Sequence, residues 1–253
     1  MAIKKLSNTE HQALKVNPNA AAIYASTKHL LNLRATEVAK VTCDLPVFFA
    51  RNAQNGSYTI SALTSFNANK NLLVNNTKWH ALYTPMCMQS YPLYLLTHDA
   101  NSSDYFVAID EESSVVNIEQ GEALFDNKGT PSLFLSAQKK LLEADLKNDY
   151  LTYKFTQELV RLGLIKDIDI ILQFEQGDPQ TIQGLSTVDE DKLQALDHDT
   201  IVNLHKQGYL NVLNSMLISL FQLNALVKIH NQHPELKPLK QIKLELSRDA
   251  HAF

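Results

Sequence analysis

The sequence predicts an α+β protein, with a mostly antiparallel β-sheet from the first half packed against amphipathic helices from the second. Three observations predict it. Short runs of aromatic and β-branched residues bounded by turn formers fill residues 47–110. From Ser132 the apolar spacing becomes helical. Strands followed by helices, instead of strict strand–helix alternation, is the order of an α+β chain.

Residues 1–35 mix Asn, Ala, Thr and Lys without a clear period and read as an irregular strap or short helices. Thr36 can cap a helical turn through Lys40 that stops before Pro46. Val47-Phe48-Phe49-Ala50 and Tyr58–Leu63 flank Asn55-Gly56, a pair suited to the positive-φ positions of a tight hairpin turn. Further strands are expected at Asn71–Val74, Tyr91–Leu96 and Tyr105–Ile109. Pro92 cannot donate a ladder hydrogen bond and is placed at a strand start or edge.

A long helix follows from Ser132 to Leu162. Leu135, Leu142, Leu146, Tyr153 and Val160 fall near one face, Leu159 and Leu162 lie beside it, and Gly163 stops it. Ile168, Ile170, Leu172 and Phe174 alternate as a half-buried strand, and Gly177-Asp178-Pro179 turns the chain into a partner at Thr181–Leu185. Asp189 can cap a short helix through Leu196, and Asp199 or Thr200 can start another ending at Gly208. A helix from Leu210 to Ile229 closes the domain, with Asn211, Asn214, Ser215, Ser219 and Gln222 on one polar stripe available to solvent or a partner. Composition shows no break within residues 36–233, read as one domain, and residues 234–253 read as a mobile polar tail.

A chain of 253 residues, 45% of them hydrophobic, can bury a sizeable core. The net charge of −4 gives no global attraction to phosphate backbones or anionic lipid, so nucleic acid is not expected as a partner. Lys4-Lys5 and Lys237, Lys240 and Lys243 read as solvated ends. Cys43 and Cys87 are far apart and have no histidine at ligand spacing, which fits reduced, buried thiols. No apolar run follows the N-terminal lysines as a signal peptide requires, and polar residues interrupt Leu210–Ile229. The expectation is a cytoplasmic protein with no membrane insertion.

The glycines stand at 56, 121, 129, 163, 177, 184 and 208, so no phosphate-cradling loop is present. A nucleophile elbow and a zincin helix are absent as well. His198 and His205, seven apart on one helix, are separated by about 10 Å, too far to share a metal. His230 and His233 could converge on one, yet no cysteine or carboxylate at local ligand spacing joins them. His80 reads as a packing partner of Trp79, and His98 as a polar strand end. No metal and no cofactor are expected.

The densest set of chemically useful side chains is Asp110-Glu111-Glu112 with Glu119, Glu122 and Asp126. Carboxylates can do acid–base work when burial drives their pKa values apart. The simpler reading is a solvated strand end at Asp110–Glu112 and an Asx-type turn at Asp126–Gly129. If a pocket exists, its candidate lining is Trp79, Tyr91, Asp110, Glu111, Glu122 and Asp126, aromatic walls with a few polar groups.

Several strings in order carry a family likeness: Trp79 ahead of Tyr91-Pro92, then Asp110-Glu111, then Gly121-Glu122-Ala123-Leu124-Phe125-Asp126 with Gly129 and Pro131. After the long helix come Gly163-Leu164-Ile165, Gly184-Leu185, Val188-Asp189-Glu190 and Leu204–Leu210. Over about residues 40–230 this set resembles the SapC family, named for a gene in the surface-layer locus of a bacterium. The resemblance implies a bacterial protein associated by name with surface-layer biogenesis or export; it implies no catalytic residues and no cofactor.

Two functions follow as expectations. One is a non-enzymatic accessory protein working through contacts with another protein, by the polar stripe of the last helix or the acidic segment. The other is an enzyme or small-ligand-binding domain with a carboxylate- and aromatic-lined pocket.

Overall fold

The computed structural model describes residues 2–52, 56–97 and 104–247. Its elements in chain order begin with β1 (Ile3–Lys5), β2 (Lys15–Val16), α1 (Ala20–Ala25), β3 (Leu30–Leu33), a 3-10 turn (Ala35–Glu37), α2 (Val38–Val41), β4 (Val47–Arg51) and β5 (Tyr58–Leu63). Next are β6 (Val74–Asn75), β7 (Lys78–Trp79), α3 (Met86–Gln89), β8 (Leu93–Thr97), β9 (Tyr105–Asp110), β10 (Val116–Asn117) and β11 (Glu122–Ala123). The chain continues through α4 (Leu133–Leu162), β12 (Ile165–Phe174), β13 (Gln180–Val188), α5 (Glu190–Gln194), α6 (His198–Lys206), α7 (Tyr209–Ser219), α8 (Gln222–Asn231) and β14 (Leu239–Leu246). Every strand pairing among the described residues is antiparallel, and the protein is α+β.

Although composition shows no break, the chain divides into two compact units. The first takes residues up to Ser26, Val74–His80 and Met86–Tyr150; the second takes Thr27–Leu73, Ala81–Pro85 and the chain from Leu151 onward. The division falls inside α4.

The first unit holds the sheet β1-β9-β8 and the small sheet β10-β2-β11. Its core gathers Val16, Leu93, Ile109, Val115, Leu124, Leu135 and Leu142. Pro92 directly precedes β8, at the strand start its missing N–H requires. The N-terminal residues include the short helix α1 and also short strands: β1 pairs with β9, and β2 lies between β10 and β11. Val16 and Ala20 among them are buried, which a search for long periodic runs passes over.

The second unit is built on a six-stranded sheet of order β14-β12-β13-β4-β5-β3. Three of its strands come from each half of the chain. Phe48 and Phe49, adjacent on β4, point to opposite faces. Phe48 joins Ile168, Ile170, Leu172 and Leu185 under Leu223 and Leu226 of α8. Phe49 stacks on Phe155 of α4, with ring centroids 6.5 Å apart. β4 and β5 pair as the expected hairpin, but Arg51 lies opposite Tyr58, the Asn52 N–H bonds the Ser57 carbonyl and the Gly56 N–H bonds the Asn52 carbonyl, so the connection is longer than a two-residue turn at Asn55-Gly56; Gly56 carries φ +69°, while Asn55 lies outside the described residues. β12 and β13 form the second expected hairpin.

Several local expectations are corrected. Only Val74 of the strand expected at Asn71–Val74 is extended in a pair, and the side chain of Asn71 instead accepts the Leu73 N–H at 2.9 Å. The turn at 35–37 is closed by Glu37 accepting the Arg34 N–H at 2.9 Å, not by Thr36. The cap of α6 is Asp197, which accepts from the Thr200 N–H and hydroxyl at 2.9 and 2.7 Å. In α4, Leu135 and Leu142 are buried as expected, but Tyr153 and Val160 are exposed while Thr152, Phe155, Thr156 and Leu159 are buried. A single apolar stripe cannot describe a helix whose two parts contribute to different cores.

The last helix is two. At Leu220, Phe221 and Leu223 the backbone N–H groups reach back three residues instead of four, which tightens the turn between α7 and α8. The stretch Tyr209–Asn231 has the length and apolarity that a bilayer span requires, and Leu213, Met216, Leu223 and Leu226 within it are buried in the second unit. Its polar stripe is partly internal: Ser219 is fully buried, and the Gln222 side chain donates to the carbonyls of Thr42 and Cys43. Nor is the tail beyond 234 loose through Leu246. Asn231 both donates to and accepts from the Leu239 backbone, at 2.9 and 2.8 Å, and so fixes the start of β14 beside β12. Of the two free thiols, Cys43 is exposed rather than buried.

Candidate functional site

Of the six residues singled out from the sequence, the first unit brings three near one another. Asp110 ends β9, is buried, and accepts the Ala2 N–H at 3.2 Å. Its own N–H bonds the Pro92 carbonyl, and its carbonyl accepts the Ser113 N–H. Ser113 Oγ in turn lies 2.6 Å from the Tyr91 hydroxyl. Glu111 turns the other way, bridging Lys4 Nζ at 2.6 Å and His11 Nε2 at 2.7 Å. The hydrogen bond from Lys4, then that from His11, holds its carboxyl below the usual range.

The other three stand apart. Asp126 makes the Asx-type turn: its Oδ1 accepts from the N–H groups of Lys128 and Thr130, each at 2.8 Å. Glu122 is exposed on β11 opposite Val16. Trp79 sits opposite Val74 on the two-stranded ribbon β6-β7. His80 beside it is exposed, and His98 lies outside the described residues. The carboxylates therefore form no shared acid–base pair; Asp110, Glu111 and Asp126 each fix local backbone or neighbouring charges.

Around Tyr91 the structure builds an aromatic cluster instead. The Tyr24 ring lies 4.7 Å from that of Tyr91, and Tyr94 meets it edge-on at 6.5 Å. Burial pushes the Tyr24 phenol up to about 12 and raises that of Tyr94 as well, so both stay protonated and serve as packing, not as bases.

A concavity of this unit lies elsewhere. An open cleft of about 630 Å³ runs between the Tyr105–Val107 end of β9 and one face of α4, with Phe125 and Leu146 among its walls. Asp110 is three residues beyond Val107, roughly 10 Å along the strand. None of the six predicted residues lines the cleft, although the Asp126 turn supports its rim through Gly129, whose carbonyl accepts from Asn8 at 3.2 Å. Lys139 and Glu143, four apart on α4, face into it, and neither has an ion-pair partner among the described residues. Their i, i+4 spacing within the predicted helix was the available signal; the cleft itself needs the fold of β9 against α4. A second groove of about 390 Å³, in the other unit, is lined by Leu217, Leu220, Phe221, Ile242 and Leu244.

Sequence reasoning also passed over Glu37. It is buried in the second unit and takes hydrogen bonds from the Arg34 N–H and from the Tyr83 hydroxyl at 3.0 Å. His230 is buried against Phe66, with Nε2 3.0 Å from the Lys237 carbonyl, so that ring is committed to packing. Among the described residues no group of three or more His, Cys, Asp or Glu is placed to hold a metal ion.

No curated protein and no solved structure matches this chain. The SapC family model does match, over residues 6–226, and so takes in the N-terminal residues that the ordered motifs left out. With that match spanning most of its length, the chain belongs to the SapC family.

Proposed function

We propose that this SapC family protein is a non-enzymatic accessory protein that acts inside the cell by binding another protein, in the service of surface-layer biogenesis or export. The observation that carries the reading is the first-unit cleft. Its walls mix apolar and aromatic side chains with the polar Ser7 and Asn8, and it bears Lys139 and Glu143, neither of which has an ion-pair partner among the described residues. Such a trough suits a segment of polypeptide offering apolar anchors and charges of both signs. The scattered carboxylates add support, because acid–base chemistry would call for convergent groups. The link to the surface layer rests on the family's name alone. On this reading Tyr209–Asn231 rests on the sheet of its own unit and not in a bilayer, consistent with its buried Leu213, Met216, Leu223 and Leu226.

A second reading is a small-ligand site, favoured by a volume within the usual range for ligand pockets. Affinity capture from the native host separates the two. Wild type should retain a specific, identifiable protein, and Lys139→Glu with Leu146→Arg should release it while the circular dichroism spectrum is unchanged. A stoichiometric small molecule in place of a protein, or a protein partner indifferent to the double variant, would overturn the first reading.

A further inference from the structure

β14 is the last strand of the six-stranded sheet: β12 lies on one side of it, and no strand among the described residues pairs with the other. Ser247 donates its N–H to the Asp167 carbonyl at 3.1 Å. Antiparallel ladders alternate, so Glu245, Lys243 and Gln241 direct their backbone groups toward β12. Ile242, Leu244 and Leu246 therefore direct theirs to the open edge. Such an edge invites another strand unless it is blocked.

The side chains specify which strand fits. If a second copy of β14 lies antiparallel against the first about a two-fold axis at Leu244, Leu244 meets Leu244 and Ile242 meets Leu246. Lys243 then meets Glu245 twice, at the closely spaced positions where ladder hydrogen bonds are absent and side chains approach most. Both charges are exposed, and neither has an ion-pair partner among the described residues. A single strand carrying Lys and Glu at these two positions is complementary to itself in this register and to few others. On the opposite face, Leu244 and Leu246 are 40% and 67% exposed, and Phe221, which lines the groove with Ile242 and Leu244, is 77% exposed. Apolar side chains this open, continuous with an open strand edge, mark a contact surface.

We propose that β14 is a dimerisation strand: two copies of this chain pair through Ile242–Leu246, continuing the sheet across a two-fold axis, with reciprocal Lys243–Glu245 pairs fixing the register. A symmetric interface of this kind presents each substitution twice.

The test is sedimentation equilibrium of the full chain over a concentration series. Wild type should be a dimer. Lys243→Glu and Glu245→Lys should each weaken it by about ten-fold or more, because like charges then face each other at two places. The exchange variant carrying both substitutions should dimerise like wild type, which also shows that the single variants did not act by unfolding. A wild-type monomer at every concentration, a dimer insensitive to the single reversals, or an exchange variant that stays dissociated would each overturn the proposal. So would a monomer whose Phe221 groove binds phosphatidylcholine vesicles instead.

Discussion

The imidazole of His11 is fully buried, with Nε2 2.7 Å from Glu111 Oε1, while the Ser7 N–H points at Nδ1 from 2.9 Å. Nδ1 also lies 3.0 Å from the Ser7 carbonyl oxygen. One histidine thereby joins the Ser7 turn to the end of β9, a hundred residues away in sequence.

His11→Ala should cost about 2 kcal/mol or more, since it opens a cavity and strands a partly buried N–H. Urea denaturation checks this.

The same pair sets an acid response. The Glu111 carboxyl is held low, first by the Lys4 hydrogen bond and then by that from His11. Its contribution is therefore complete above the ordinary carboxylate range and is lost as pH falls through its lowered folded value. Glu111→Gln should flatten the loss of stability between about pH 5 and pH 2 relative to wild type. Urea midpoints across that range measure it, and an unchanged acid limb would contradict the assignment.

Gly121 has φ +118°, and a Cβ there would sit 2.2 Å from the Val16 carbonyl oxygen. Gly121→Ala should destabilise by at least about 2 kcal/mol, from strain together with the separation of β11 from β2. Amide exchange at Val16 should accelerate in the same variant.

Ser219 accepts the Val47 N–H at 2.9 Å and donates to the Met216 carbonyl at 2.6 Å, both out of contact with water. Ser219→Ala leaves a buried donor unmatched, for a loss of about 1–3 kcal/mol in thermal or chemical unfolding. An exposed serine on a free polar stripe would give almost none.

Burial lowers the pKa of His230. The neutral ring is the folded form, so its contribution is complete above the ordinary histidine range, near pH 6.5, and declines as pH falls below it toward the depressed folded value. An NMR titration should show His230 protonating below the ordinary histidine value near pH 6.5. A midpoint at or above that value would refute the assignment.

Much of the secondary structure was legible because it is encoded locally. The Val47–Ala50 and Tyr58–Leu63 strands, the alternation of Ile168, Ile170 and Leu172, and the long helix stopped by Gly163 each rest on neighbours a few residues apart. The Asp126 turn was equally plain, since an aspartate reaches the N–H groups two and four residues on without outside help. β14 was missed even though Ile242, Leu244 and Leu246 alternate, because the lysines and glutamate between them read as a solvated tail.

By itself, then, the sequence determined the α+β class, the hairpins, the chief helix and the likeness to the SapC family. Tertiary structure alone decided that the acidic residues do not converge, that a cleft opens beside Lys139 and Glu143, and that Ser219 and His11 are buried. Those outcomes depend on contacts between residues tens to hundreds of positions apart. Periodicity records which face of an element is apolar, but carries no information about which distant surface will cover it.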